Sequence, residues 1–254
     1  MNHTSISWTE LTWNPVTGCT HCGTGECDNC YARGMAIRLR AMHNPRYANG
    51  FTPTPHPEAL GEPLATNPKK KIMCFLPSMG DLFHKDISDV FINKVIDVVE
   101  MTPWITYQIL TKRSARMAAF FNYRRCPANV WLGVTCGCKD SLFRVDDLRG
   151  VAAPVRFVSA EPLLSDLANE GLDLIDIDWI IAGGERAPKA AVRRMREDWV
   201  LNLKNLSDAN GTAFFFKQWG NIGPDGIWRH DPKINGDLLG GVNYHNYPTP
   251  RVNY

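Results

Sequence analysis

The sequence predicts an α/β fold, a partial or complete TIM-like (β/α) barrel with parallel strands and outer helices, on three observations. From residue 69 onward, short apolar runs alternate with helix-like stretches, the order that joins parallel strands through right-handed crossovers. With a strand-like lead-in near the start, about seven strands are counted, which suits a barrel or part of one better than a small open sheet. The residue just past each apolar run is polar, and in a parallel barrel those positions converge at the carboxyl ends of the strands.

Taken in order, residues 6–13 alternate apolar and polar side chains (Ile6, Trp8, Leu11, Trp13) and read as the first strand or a lead-in to it. A Gly- and Thr-rich loop follows, WNPVTGCTHCGTGECDNCY, which gathers four of the eight cysteines. Residues 30–42 have helical periodicity with Arg33, Arg38 and Arg40 on the polar side, the pattern of a solvated helix face. Residues 43–68, rich in Pro, Asn and Gly, form an irregular excursion, either a flap over a ligand or a surface insertion. Strands are then expected at 71–76, 106–110, 130–134, 155–158, 179–182 and 213–216, with helices at 88–101, 114–121, 141–148 and 196–209. Residues 221–254 lack periodicity and read as an irregular extension, a lid or a partner-facing tail. The chain therefore divides into a barrel over 1–220, with the insertion at about 43–68, and an extension over 221–254.

Composition bounds the function classes. At 254 residues, 44% hydrophobic and 21% charged, the chain suits one large α/β domain. No window approaches the ~18 apolar residues that span a bilayer, so no membrane partner is expected. The start, MNHTSISWTE, has neither a basic region nor an apolar core, which points to the cytoplasm. A net charge of +2 gives only a mild preference for anions. Lys69, Lys70 and Lys71, and the group Arg186, Lys189, Arg193, Arg194 and Arg196, are either phosphate contacts or solvated loops.

Cys19, Cys22, Cys27 and Cys30 fall within twelve residues, and packing alone does not gather thiols in such a loop. Disulfides are uncommon in an intracellular chain of this length. Two Cys-x2-Cys pairs fit a four-thiolate zinc site, although the four residues between them make a tight knuckle. The third reading is an iron–sulfur cluster on Cys19, Cys27 and Cys30, spaced Cys-x7-Cys-x2-Cys, with one iron left open. The remaining cysteines are separate. Cys74 sits in an apolar strand, Cys126 at a loop edge, and Cys136 and Cys138 just past a strand.

The run TWNPVTGC…CDNCYA, with SMGDLFH at 78–84, LTKR at 110–113, SAEPLL at 159–164, AGGE at 182–185 and FFFKQWG at 214–220, resembles the phage three-cysteine-motif family. The resemblance runs from about residue 6 to 220. It implies a radical S-adenosylmethionine (SAM) enzyme of phage or prophage origin in the host cytoplasm. The usual radical SAM spacing is Cys-x3-Cys-x2-Cys, so the first interval here is stretched and Cys22 is the spare ligand. A [4Fe–4S] cluster and SAM are the implied cofactors, with flavodoxin or ferredoxin as electron donor. The implied substrate is DNA or a nucleotide, a modified thymine rearranged by an isomerase-type step during phage DNA hypermodification. A photoproduct-lyase-like repair enzyme shares the cofactors, and a zinc nucleic-acid-binding protein is the non-enzymatic alternative.

With SAM as the implied cofactor, roles at the strand ends can be proposed from its chemistry. The turn Ser78, Met79, Gly80 and Asp81 suits the SAM ammonium, although Asp81 also reads as a turn cap. Lys112 or Arg113 suits its carboxylate, and Thr135 and Ser159 its ribose. Gly183, Gly184 and Glu185 fall on the pocket rim near adenine or substrate. Glu161, Glu185 and Lys217 are expected to meet polar substrate groups, and Cys136 to face the pocket as a hydrogen donor.

Overall fold

The computed structural model describes residues 1–252, so the last two positions of the 221–254 extension lie outside the described residues. The strands are β1 (Asn2–His3), β2 (Leu11–Thr12), β3 (Val16–Thr17), β4 (Thr54–Pro55), β5 (Ile72–Leu76), β6 (Ile105–Thr111), β7 (Val130–Thr135), β8 (Val155–Ala160), β9 (Trp179–Gly183), β10 (Ala213–Gln218), β11 (Leu238–Leu239) and β12 (Val242–Asn243). The helices are α1 (Tyr31–Ala41), α2 (Asp89–Met101), α3 (Ser114–Tyr123), α4 (Phe143–Arg149) and α5 (Glu197–Asn210). One eight-stranded sheet runs in the order β1-β2-β5-β6-β7-β8-β9-β10. Only β1 is antiparallel within it. The sheet curls into a half-barrel with helices around it, and β1 and β10 remain its two edges, so the barrel is partial rather than complete.

Each long strand buries both faces, as a parallel sheet requires. Outward positions such as Val130, Leu132 and Val134 of β7 or Phe214 and Phe216 of β10 join the core under the helices. In α2 the stripe Phe91, Ile92, Val95, Ile96 and Val99 seals against it, and the Ser88 hydroxyl caps the helix by accepting from the Phe91 amide at 3.3 Å. Inward positions carry Phe75, Trp131, Phe157, Trp179 and Phe215, which with Trp8 make an aromatic floor. Trp179 meets Trp131, Phe157 and Phe215 at centroid distances of 5.7, 5.7 and 5.9 Å. Further along the same inward rows stand Thr135, Ser159 and Lys217, so alternation places a polar chamber above an apolar plug.

Gly133 is what lets that floor close. A Cβ built there lies 2.3 Å from the Phe157 ring, too close for any rotation of the ring to relieve cheaply. Gly133→Ala is expected to cost about 1–3 kcal/mol in urea unfolding, as overpacked cores do. Adding Phe157→Leu should recover part of that loss, which a double-mutant cycle reads directly.

The lead-in is a strand only over Leu11–Thr12, because the residues before it turn to put Trp8 into the floor. The helix expected at 141–148 begins with a 3-10 turn, Lys139–Ser141, and is α-helical from Phe143. The excursion 43–68 is ordered by short 3-10 turns and by β4, which pairs with β3. The C-terminal segment is not a free lid. Phe216 N donates to Tyr244 O at 2.8 Å and Asn246 N to Phe214 O at 3.2 Å, covering the outer edge of β10. Tyr247 then packs on Trp179 and Phe215, and Arg251 pairs with Asp178 at 2.9 Å. No helix among the described residues is long and apolar enough to cross a membrane.

Candidate functional site

A cleft of about 760 Å³ opens at the carboxyl ends of the strands, roofed by the cysteine loop and α1. Of the residues singled out from the sequence, Cys19, Cys27, Cys30, Ser78, Gly80, Asp81, Lys112, Thr135, Ser159, Glu161, Gly184, Glu185 and Lys217 line it. Met79, Gly183 and Cys136 do not. Met79 packs with Ala32, Ala36 and Tyr47 beneath α1. Cys136 is fully buried in the outer core and accepts from the Ser141 hydroxyl at 3.6 Å, so its sulfur is turned away from the cleft and cannot serve a ligand there.

The cysteine loop is fastened at three places. Gly18 bridges to Gly80, and Cys19 N donates to Phe51 O at 3.1 Å, so the 43–68 excursion holds the start of the loop. At its middle, buried Arg144 of α4 reaches Thr135 O at 2.8 Å, the Thr24 hydroxyl at 2.7 Å and Glu26 Oε1 at 3.4 Å. Glu26 in turn accepts the Gly137 amide at 2.9 Å. Toward its end, Arg193 donates to Asp28 at 2.9 Å and Gly25 O at 2.8 Å while ion-paired to buried Glu185. Glu185 thus faces the cleft but is engaged as the anchor of this clamp.

Within the loop the sulfurs are unequal. Cys22 is drawn out of the cleft to Arg144 (3.2 Å) and lies 2.9 Å from the Cys27 sulfur. The hydrogen bond from Cys27, aided by Thr24 and the Arg144 charge, pulls the Cys22 thiol down to about 4 and holds the Cys27 thiol up. Burial, reinforced by the Asp81 charge, raises Cys19 to about 11 against the pull of Arg113, whose guanidinium stands 3.6 Å from its sulfur. No three His, Cys, Asp or Glu side chains among the described residues converge on one ion position. Cys19, Cys27 and Cys30 nevertheless face one cleft, which Cys22 does not line.

The strand ends divide into engaged and free groups. Asp81 spends both carboxylate oxygens within the protein, accepting from the Thr111 hydroxyl (2.7 Å), Phe83 N (3.0 Å) and Lys112 N (3.0 Å). It therefore ties the turn after β5 to the end of β6. Asn14 does the same for Ser78 and Met79, accepting from Met79 N at 2.9 Å and donating to the Ser78 hydroxyl at 3.1 Å. Glu161 accepts from Lys217 at 2.5 Å and from Gln218 at 3.0 Å on the opposite wall. Thr135 and Ser159 are register partners on β7 and β8, and their hydroxyls have no protein partner among the described residues. Gly183 and Gly184 serve packing. A Cβ on Gly184 would lie 1.9 Å from Trp219 O, and Gly183 leaves room for the Glu161 side chain.

Sequence reasoning passed over the part that Arg144, Arg193 and Glu26 play at the loop, and the part that Asn14 plays at the turn after β5. Only the position of Glu26 between the cysteine pairs was a usable signal. Arg33, Arg38, Arg186 and Lys112 also line the cleft, and none has a carboxylate partner among the described residues. By contrast, Glu26, Glu161 and Glu185 are each matched by an internal cation.

Two solved structures are similar in part. Spore photoproduct lyase complexed with dinucleoside spore photoproduct is 11% identical with a TM-score of 0.48, over 82% of this chain and 64% of that one. A cysteine-to-alanine mutant of the same lyase, also with dinucleoside spore photoproduct, is 12% identical with a TM-score of 0.47, over 82% and 63%. The chain spans just under two thirds of the length of these structures. No curated protein matches it. The profile of the family described as "Protein of unknown function (DUF5131)" matches residues 3–248, nearly the whole chain, and the chain belongs to that family.

Proposed function

We propose that the protein is a radical SAM enzyme that acts on a nucleobase, a modified thymine in phage DNA. The observation that carries this reading is the shared cleft: three thiols of the Cys19/Cys27/Cys30 set stand over the polar ends of six parallel strands. A [4Fe–4S] cluster and SAM bound there supply reductive cleavage of a sulfonium bond and hydrogen abstraction from an unactivated carbon. Everything else is the chain's own work. Cys19, Cys27 and Cys30 hold the cluster, and Arg144 and Arg193 keep their loop seated. The turn at Ser78 and Gly80, tied down by Asn14 and Asp81, offers backbone groups to an ammonium. The Thr135 and Ser159 hydroxyls, adjacent and free, suit a vicinal diol. Glu161 and Lys217 face the remaining space as a paired acid and base for polar substrate groups.

The unmatched cations Arg33, Arg38, Arg186 and Lys112 favour a ligand bearing phosphate. A base in duplex DNA would have to be flipped to reach a chamber at the strand ends. Flavodoxin or ferredoxin in the host cytoplasm would deliver the electron, and an isomerase-type rearrangement fits a hypermodification step. Anaerobically reconstituted protein is expected to carry about four irons. With SAM and reductant it should yield a changed nucleoside in digests of phage DNA and none in host DNA. A colourless protein with one tightly held zinc would overturn the proposal, and conversion of a thymine photoproduct instead would move the substrate to repair.

A further inference from the structure

Cys22 is the one thiol of the cysteine loop that the proposed function leaves without a task. Its sulfur lies outside the cleft, 3.2 Å from the Arg144 guanidinium and 3.2 Å from the Thr24 hydroxyl. The Cys27 sulfur is 2.9 Å away, and no other two thiols of the loop touch among the described residues. The local fold makes this contact. Gly23, at φ +86°, bends the chain in the left-handed region, and the 3-10 turn Gly25–Cys27 brings residue 27 back beside residue 22. Cys27 N closes that turn by donating to Thr24 O at 3.1 Å. Arg144, fixed in turn by Thr135 O and Glu26, keeps the Cys22 side in place. A disulfide needs its sulfurs about 2.05 Å apart, so a shift of about 0.9 Å closes one here. Cys22 and Cys27 are half-buried and open to a small oxidant, whereas Cys74, Cys126 and Cys136 are buried.

We propose that Cys22 is a redox site, closing a reversible disulfide with Cys27 that withdraws Cys27 from the thiols facing the cleft. The oxidant is a small disulfide. The Cys22 sulfur attacks one sulfur of the oxidant, breaking its S–S bond and releasing one small thiol. The Cys27 sulfur then attacks Cys22 in the mixed disulfide, forming the Cys22–Cys27 bond and releasing the second small thiol. Two electrons and the two thiol protons pass to the oxidant, and a dithiol reductant reverses both steps. The bond itself rests on the 2.9 Å contact between the sulfurs. Its consequence rests on reading Cys19, Cys27 and Cys30 as cluster ligands. With Cys27 engaged, two of the three remain, so the loop holds no cluster until the disulfide is reduced.

The test uses full-length protein freed of metal and needs no turnover. The protein is incubated anaerobically with glutathione disulfide, the oxidant is removed, and the remaining thiols are alkylated. Cleavage after Glu26, which separates Cys22 from Cys27, should leave the two fragments joined in most chains until reductant is added. Tandem mass spectrometry should place the link between residues 22 and 27, with Cys19 and Cys30 alkylated or carrying glutathione. Metal analysis then reads the consequence. The oxidised protein should take up less than about one iron per chain, against about four for the reduced protein, and dithiothreitol should restore uptake. Cys22→Ser protein should load iron like the parent under reductant and give no joined fragments. Three outcomes would overturn the proposal: Cys27 linked to Cys19 or Cys30, glutathione adducts on Cys22 and Cys27 with no bond between them, or a Cys22–Cys27 bond that leaves iron uptake unchanged. A reduced protein that takes up no iron would overturn the radical reading and leave the disulfide result standing.

Discussion

Cys27→Ala protein, reconstituted anaerobically beside the parent, is expected to fall from about four irons per chain to less than about one, with loss of the broad absorbance near ~400 nm. Cys19→Ala and Cys30→Ala should behave the same way, because all three sulfurs stand at the cleft. Cys22→Ala is the discriminating variant. Its sulfur is held outside the cleft by Arg144 and Thr24, so its loss should leave iron content near that of the parent. A four-thiolate zinc site predicts the opposite, since removing any one of four ligands would then cost the metal. Metal analysis of the four single variants decides between the two without any substrate.

The second large effect is on stability. Arg144→Met should cost about 3–5 kcal/mol in urea unfolding, because it leaves Glu26 charged, buried and without its cation. The side chains of the pair are 1% and 0% exposed, so water cannot compensate. Glu26→Gln should cost a similar amount by stranding the guanidinium. The double variant, Arg144→Met combined with Glu26→Gln, should cost less than the sum of the two single changes, the signature of one coupled pair. If either single variant unfolds within about 1 kcal/mol of the parent, Arg144 does not hold the loop.

Much of this architecture was written into periodicity. Six inner strands appear where the apolar runs placed them, because a parallel strand buried on both faces must be apolar throughout, and that pattern is hard to mistake. The strand-end candidates converge for the same reason: once the runs are parallel, the residues after them share one end of the sheet. Three features were not legible. Met79 and Cys136 lie next to cleft residues in the chain, but alternation and the turn geometry send their side chains to the other side, into the core. Gly183 and Gly184 read as the rim of the pocket; Gly184 does line it, and what the sequence did not show is that the two also yield space to Glu161 and Trp219. Arg144 and Arg193 act across 118 and 165 residues of chain, on Glu26 and Asp28, and no local pattern records a partner so far away. The expected helix face at 30–42 did form, but Arg33 and Arg38 point along the cleft rather than only into solvent.

The segment that lies along β10 has one more consequence. A half-barrel that stops short of closure leaves two rims of backbone, and the one formed by Phe214 and Phe216 is the longer and more apolar. Tyr244 and Asn246 take up its amide and carbonyl groups, while Tyr247 and Arg251 fasten the covering strip to Trp179 and Asp178. Stripped of that cover, the rim would be an open template, and two copies of the chain could zip together side by side. The last stretch of polypeptide therefore keeps neighbours off the seam while the opposite end of the strands stays free to receive a ligand.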